Sequence, residues 1–196
     1  TMVNAMRALA APALAAALFA AGGCGGAQEP TAEADVDTEA DTDEGGAELS
    51  VKERVDWYLE QAGLARIEGD AAGALDYYLQ AAAVCEEEAA VTVQCADVHY
   101  EAAGVAYERM KRQIAIEQYQ KAIDIYLRFR GNARAKAAVA LNAQGVIYRE
   151  MAEKPKARNA FEQALQVYKE TPDEFKNHSN IEKIKQNIRD LDEGYH

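Results

Sequence analysis

Residues 141–168 read LNAQGVIYREMAEKPKARNAFEQALQVY, and this stretch decides the fold. Ala157, Phe161 and Ala164 stand at offsets of four and seven, which places all three on one face of a helix. The small alanines let a neighbouring helix approach closely, and the aromatic ring fills the space between the two helices. Gly145 leaves room at the crossing in the preceding helix. The stretch therefore predicts a two-helix unit.

The same pattern occurs twice more, in GALDYYLQAAAV (73–84) and IAIEQYQKAIDI (114–125). The three trios are Ala74/Tyr78/Ala81, Ala115/Tyr119/Ala122 and Ala157/Phe161/Ala164, at intervals of 41 and 42 residues. Gly63, Gly104 and Gly145 recur every 41 residues. Such self-similarity predicts a repeat array, in which each unit buries its apolar face against its neighbours.

The apolar spacing predicts seven helices. Their expected ranges are 51–68, 71–88, 92–111, 114–130, 133–152, 155–170 and a last helix that ends near 192. Ser50 and Glu53 form an S-x-x-E capping box at the first helix, and Ser179 and Glu182 predict a second box before the last one. The last helix carries an apolar face made by Ile181, Ile184, Ile188 and Leu191. We therefore expect it to cover the exposed side of the final repeat.

The third copy resembles the tetratricopeptide repeat (TPR). The resemblance lies in Leu141, Gly145, Tyr148, Ala157, Phe161 and Ala164. It covers about residues 54–170, and the interval exceeds the usual 34 or so, as in a long-helix variant. It implies an all-α fold, a right-handed α-α superhelix of three helical hairpins (about 55–90, 96–131 and 138–171) with a capping helix at about 172–192. Counted from the second helix, Ala62 and Ala103 replace Gly63 and Gly104 at the small-residue position.

TPR arrays bind peptides or helices on the concave side lined by their first helices, so the resemblance also implies a groove. Counting from the second helix gives Asp56, Leu59, Arg66, Asp97, Tyr100, Tyr107, Asn142 and Arg149 as its residues. The TPR subclass that clamps a C-terminal carboxylate has Lys at one position of each repeat. In the three repeats of this chain that position holds Asp56, Asp97 and Val139, so we expect no carboxylate clamp.

Residues 1–23 have the pattern of an export signal, with Arg7 before an alanine-rich run too short to span a bilayer comfortably. AAGGC at 20–24 resembles the lipobox of bacterial lipoproteins, in which the cysteine carries acyl chains such as palmitate. The resemblance implies lipidation of Cys24. The alternative is a plain secretory signal with an incidental cysteine, because Ala21 stands where the family usually has Leu, Val or Ile.

Residues 24–49 read as an acidic, disordered linker ahead of a helical domain at 50–196. Nine carboxylates and no basic residue lie between residues 27 and 48, which accounts for most of the net charge of −12. So few large apolar residues cannot form a core. The acidity argues against a nucleic-acid partner, since phosphate binding needs a basic stripe.

Cys85 and Cys95 flank the turn expected near residues 89–91. Two interpretations stay open: a disulfide, which export permits, or two small buried thiols. Arg128, Arg130, Arg134 and Lys136 surround the turn between the second and third repeats. That positive patch suits helix C-termini, and it could also hold the acidic linker or an acidic partner.

The sequence carries no catalytic motif. His99, His178 and His196 are not at metal-ligand spacing, and there is no phosphate loop, G-x-S-x-G or H-E-x-x-H. We therefore expect no enzyme activity, cofactor, bound metal or small-molecule substrate.

Taken together, these features predict a non-catalytic scaffold that binds a peptide or protein partner through the concave groove. The resemblance to lipoproteins implies an exported, membrane-tethered protein of the cell envelope that takes part in complex assembly. Gly25 stands where the family's inner-membrane retention signal has Asp, which favours the outer membrane, facing the periplasm. The alternative function is a self-associating module of a periplasmic oligomer.

Overall fold

A computed structural model describes residues 49–194, which form seven α-helices and no strand. The helices are α1 (Val51–Ile67), α2 (Ala71–Glu87), α3 (Val93–Glu108), α4 (Arg112–Tyr126), α5 (Asn132–Glu150), α6 (Lys154–Glu170) and α7 (His178–Glu193), with a short 3₁₀ helix at Asp173–Phe175. The export signal, Cys24, nearly all of the acidic linker and His196 lie outside the described residues. Within residues 49–194, none of these helices is both long and apolar enough to cross a membrane.

Consecutive helices pack in pairs. α1 packs on α2, α3 on α4 and α5 on α6, and each hairpin then packs on the next through α2 with α3 and α4 with α5. α7 packs on α6 and contacts α5. This confirms the predicted fold class, an all-α, right-handed α-α superhelix of three helical hairpins with a capping helix.

The aromatic and alanine trios form the centre of each hairpin. All nine of their residues are buried, and the second helices that carry them begin at Ala71, Arg112 and Lys154, 41 and 42 residues apart. Most of them belong to one continuous core that runs through the three hairpins. The trio spacing therefore located the packing face of every second helix.

The glycines do not recur as packing equivalents. A Cβ atom at Gly145 would lie 2.6 Å from Cε1 of Phe161, so this position must lack a side chain. A Cβ at Gly63 would meet nothing within 4 Å, and one at Gly104 only the Tyr119 hydroxyl at 3.9 Å. Ala62 and Ala103 are fully buried instead. Ala62 and Ala103 therefore take the place of Gly145 in the first two repeats, and the 41-residue glycine interval is not a packing repeat.

The helix ends agree with the sequence in part. The capping box at α1 is present: the Ser50 backbone N–H donates to Glu53, and the Glu53 N–H donates to the Ser50 hydroxyl. The box predicted at Ser179 and Glu182 is wrong, because Asn177 caps α7 by accepting from the Asn180 N–H at 3.0 Å.

Two helix boundaries differ from those expected, and the last helix lies against the final repeat. α4 ends at Tyr126 rather than near residue 130, and the turn closes at Gly131, whose φ is +63°. α7 begins at His178 rather than near residue 172. Ile184 and Leu191 on α7 are buried, as a covering helix requires.

Candidate functional site

The first helices α1, α3 and α5 and the capping helix α7 contact one another through polar side chains. We call this row of contacts the first-helix ladder, and each place where one of these helices contacts the next is a junction. At each junction two residues of the earlier helix make the contacts: Asp56 and Arg66 on α1, Asp97 and Tyr107 on α3, and Asn142 and Arg149 on α5. All six belong to the eight residues that the sequence assigned to the groove. The ladder has three junctions, one after each repeat.

The first junction joins α1 to α3. The Asp56 carboxylate accepts from the Gln94 amide and from Lys52 on its own helix. These two hydrogen bonds, with the one from Lys52 the larger cause, hold the pKa of Asp56 below its ordinary value. Ten residues along α1, the Arg66 guanidinium lies 3.6 Å from Glu101 and 4.0 Å from Glu108.

The second junction joins α3 to α5. The Lys136 ammonium donates to Oδ1 of Asp97 at 2.6 Å, and the Tyr126 hydroxyl donates to the same oxygen. Burial, followed by this hydrogen bond, raises the pKa of Tyr126. At the other end of α3, the Tyr107 hydroxyl donates to Glu150. That bond is the main reason why the pKa of Tyr107 is raised.

The third junction joins α5 to the capping helix. Asn187 on α7 donates to the Asn142 side chain at 3.0 Å and accepts from Arg149 at 3.0 Å. Arg149 also lies 3.8 Å from Asp190. α7 therefore makes the contacts that the first helix of a fourth repeat would make, and it also covers the last repeat.

One ladder position repeats with particular regularity. Arg66, Tyr107 and Arg149 follow one another at 41 and 42 residues, and each contacts an acid on the next first helix: Glu108, Glu150 and Asp190 respectively. The two remaining residues of the predicted groove make apolar contacts. Leu59 packs against the core, and the Tyr100 ring meets Tyr119 edge-on at 5.5 Å.

A half-open cavity of about 310 Å³ lies at the second junction. Its lining consists of Asp97, Tyr100, Glu101, Tyr126, Lys136 and Val139. The Lys136 ammonium sits 5.8 Å from the centroid of the Tyr126 ring, within cation–π range. Sequence reasoning named Asp97 and Tyr100 here but missed Glu101 and Tyr126. The spacing of Asp97 and Glu101, one helical turn apart, could have located Glu101.

The predicted positive patch is divided in the structure. Arg134 contacts Glu170 and the Leu127 carbonyl, and Lys136 is held by Asp97. Arg128 and Arg130 are exposed and form no ion pair with any residue of the described range. Half of the patch therefore serves contacts between helices.

Cys85 and Cys95 are joined by their sulfur atoms, with α-carbons 5.8 Å apart, at the turn between α2 and α3. His99, one turn beyond Cys95, is buried, and its Nδ1 donates to Oε1 of Gln118 at 2.7 Å. Burial is the main cause that lowers the pKa of His99. The residues described include no cluster of three or more His, Cys, Asp or Glu side chains suited to a metal.

The fold and the ladder define a helical-hairpin repeat protein in which polar side chains link successive first helices. Comparison with known proteins gives the class of repeat: residues 94–170 match the family model described as tetratricopeptide repeat. No curated protein matches the chain in sequence.

Several solved structures share the fold. BtubC from P. vanneervenii aligns with a TM-score of 0.65 and 16% identity, over 75% of this chain and 58% of that one. The N-terminal domain of stress-induced protein-1 from C. elegans gives 0.56 and 15%, over 71% and 98%. The Rap conjugation gene regulator of plasmid pLS20, in complex with the Phr* peptide, gives 0.53 and 18%, over 81% and 44%. The chain thus spans little more than half of BtubC and less than half of the Rap regulator. At these identities the similarity shows the fold, and with the family match it supports a TPR protein.

Proposed function

We propose that the chain is a non-catalytic scaffold that binds a peptide or protein segment along its first helices. The cavity at the second junction carries the proposal, because there the first-helix ladder opens into a concave space with aromatic and charged walls. The fold itself is typical of interaction scaffolds rather than enzymes. A protein of the same fold, the Rap regulator, is seen in complex with a peptide.

Site-specific photocrosslinking in the native cells tests this function. A benzophenone side chain placed at Tyr100, in the cavity, should yield a crosslinked partner on irradiation of the full chain. The matched position is Asp76, an exposed residue on the second helix α2. Crosslinking of the same proteins from both positions, or from neither, would contradict binding through the first helices.

We further propose that the scaffold is exported and tethered to the membrane through lipidated Cys24, on the periplasmic face of the outer membrane. The support comes from the sequence: the alanine-rich run, AAGGC at 20–24, and Gly25. A buried acyl chain contributes about 0.8 kcal/mol per methylene, and stable anchoring needs more than one chain. Like charges along residues 27–48 would extend the linker and hold the domain away from the bilayer.

Metabolic labelling with an alkyne palmitate analogue tests the tether. The full-length chain should carry the label and sediment with outer membranes, whereas Cys24→Ser should lose the label and enter the soluble fraction. Cys85→Ser/Cys95→Ser is the matched control for loss of thiols and should keep the label. Labelling that survives Cys24→Ser would contradict lipidation at this residue.

One observation favours self-association as a second function. Large apolar side chains are exposed at the end of each first helix: Leu64 and Ile67 in the last turn of α1, Met110 just after α3 and Met151 just after α5. Ile67 is 85% exposed and Met110 69%. A second copy of the chain could cover such a row. Light scattering across a wide concentration range should then show dimers that Ile67→Asp disrupts; a monomer throughout would exclude this function.

A further inference from the structure

We propose that the cavity at the second junction binds a cationic side chain, Lys or Arg, of the partner segment. This inference rests on the proposed function and adds the chemistry of the partner. It depends on three features of the cavity: the acidic and aromatic residues of its walls, the Lys136 ammonium that these walls already hold, and a second acidic pair at the same position of the first repeat.

The walls favour positive charge. Asp97 and Glu101 lie one turn apart on α3, and both line the cavity. Both carboxylates are accessible, with side chains 43% and 48% exposed. Tyr100 and Tyr126 contribute aromatic rings, whose faces attract cations. Carboxylates beside aromatic faces form a site that suits an ammonium or guanidinium group.

The chain's own Lys136 shows how such a group is held. Its ammonium donates to Asp97 at 2.6 Å and lies 5.8 Å from the Tyr126 ring centroid. Glu101 has room for a second donor, since its one ion pair within the described residues is with Arg66 at 3.6 Å, too long for a hydrogen bond. An incoming cation can therefore bind Glu101 beside Lys136, or displace Lys136 from Asp97.

The same walls disfavour an incoming carboxylate. It would face two acids, Asp97 and Glu101, and its only cationic partner in the lining would be Lys136, which is already bound to Asp97. The cavity is thus suited to the charge opposite to that of a C-terminal carboxylate.

The acidic pair has a counterpart in the first repeat. Asp56 and Glu60 on α1 stand 41 residues before Asp97 and Glu101, and Glu60 is exposed with no ion pair in the described range. Val139 and Ala143 take these places in the third repeat. Side chains of α1 and α3 meet at the first junction, so an extended segment that crosses both helices would pass one acidic pair and then the other. Regularly spaced basic residues would therefore reach both acidic pairs.

Two synthetic peptides of matched length test the inference. One is (Ala-Lys-Ala)₄ amide and the other (Ala-Glu-Ala)₄ amide, each titrated into the isotopically labelled full chain and followed by amide NMR signals of residues 97–101 and 136–139. Signals at the cavity separate binding there from attraction to the acidic linker. The lysine peptide should shift these signals to saturation, and the glutamate peptide should not.

Variants sharpen the result. Glu101→Gln should weaken lysine-peptide binding about threefold, the size expected for an exposed ion pair. Lys136→Met should strengthen it, because the competing ammonium is removed. Asp76→Asn, which removes one acid from α2, is the matched control and should leave binding unchanged.

Three results would overturn the inference: cavity shifts with the glutamate peptide, weaker lysine-peptide binding in Lys136→Met, or no cavity shifts with either peptide. If any of these results were found while photocrosslinking from Tyr100 still captured a partner, the scaffold function would stand. Only the inference that the cavity binds a cationic side chain would be refuted.

Discussion

Lys136 on α5 and Tyr126 at the end of α4 donate to the same carboxylate oxygen of Asp97 on α3. One acid of the second repeat thus binds a donor from its own hairpin, Tyr126, and a donor from the third repeat, Lys136. The Lys136 side chain is 40% exposed, whereas Tyr126 is buried. The two hydrogen bonds should therefore differ in their contribution to stability.

Removing the Asp97 carboxylate should lower the free energy of unfolding more than removing the Lys136 ammonium. Asp97→Ala leaves the buried Tyr126 hydroxyl without its partner, and we expect a loss of about 1–3 kcal/mol in the free energy of unfolding. Lys136→Met removes a partly exposed ion pair, worth about 0–1 kcal/mol. Urea denaturation followed by circular dichroism measures both values. A larger loss in Lys136→Met than in Asp97→Ala would show that Tyr126 does not depend on this carboxylate.

Two glycines should respond in opposite directions to the same substitution. Gly145→Ala would place a methyl group 2.6 Å from the fully buried Phe161 ring, and overpacking of this kind costs about 1–3 kcal/mol. Gly63→Ala, within α1, meets nothing within 4 Å. It should stabilise the chain by about 0.5–1 kcal/mol, because alanine favours the helix. Thermal unfolding of the two variants gives the comparison.

Equal effects at the two glycines would contradict the packing described for the first and third repeats. A gain from Gly104→Ala would agree with it, because the nearest atom to that position is the Tyr119 hydroxyl at 3.9 Å, an ordinary contact distance.

The sequence predicted what depends on local spacing. The aromatic–alanine trios located the buried face of α2, α4 and α6, since offsets of four and seven fix a helix face whatever its surroundings. The N-cap of α7 was missed because Asn177 and Ser179 are both good capping residues, and the choice between them depends on where the chain leaves α6. Glu101 and Tyr126 were missed in the cavity because their roles arise from three helices meeting, which no single helix pattern contains.

The predicted groove illustrates the same limit. The count from the second helix selected Asp56, Asp97 and Asn142 as groove residues by their position in the repeat. That count cannot show that each contacts the next first helix, since the contact needs a partner 38 to 45 residues away. Peptide binding by these residues stays a prediction, and the ladder contacts are what the structure adds.

Cys85 and Cys95, at the α2–α3 turn, should both lack a free thiol because they form a disulfide. In a full-length Cys24→Ala variant, thiol titration of the denatured, non-reduced protein should give zero, and two after reduction. The bond closes a loop with a sequence separation of 10, so reduction should cost about 3 kcal/mol in the chain-entropy model. Two free thiols before reduction would contradict the bond, and Cys85 and Cys95 would then be two small buried thiols.

His99 should make the stability of the fold depend on pH below neutrality. Its pKa is lowered from the ordinary 6.5, mainly by burial, although Gln118 and Glu86 oppose the shift and Lys121 adds to it. The unfolded chain therefore binds a proton at His99 before the folded chain does. Stability should be at its full value above pH 6.5 and fall as the pH drops towards the lower folded pKa.

Urea denaturation at pH 7.5, 6.5 and 5.5 measures this loss. His99→Gln cannot titrate, so its unfolding free energy should change less over this range than that of the wild type, even if the variant is less stable at every pH. His178, exposed at the start of α7, is the matched control, and His178→Gln should keep the wild-type slope. If His99→Gln keeps the wild-type slope instead, the ring of His99 is not the group that must stay neutral for α3 to pack on α4.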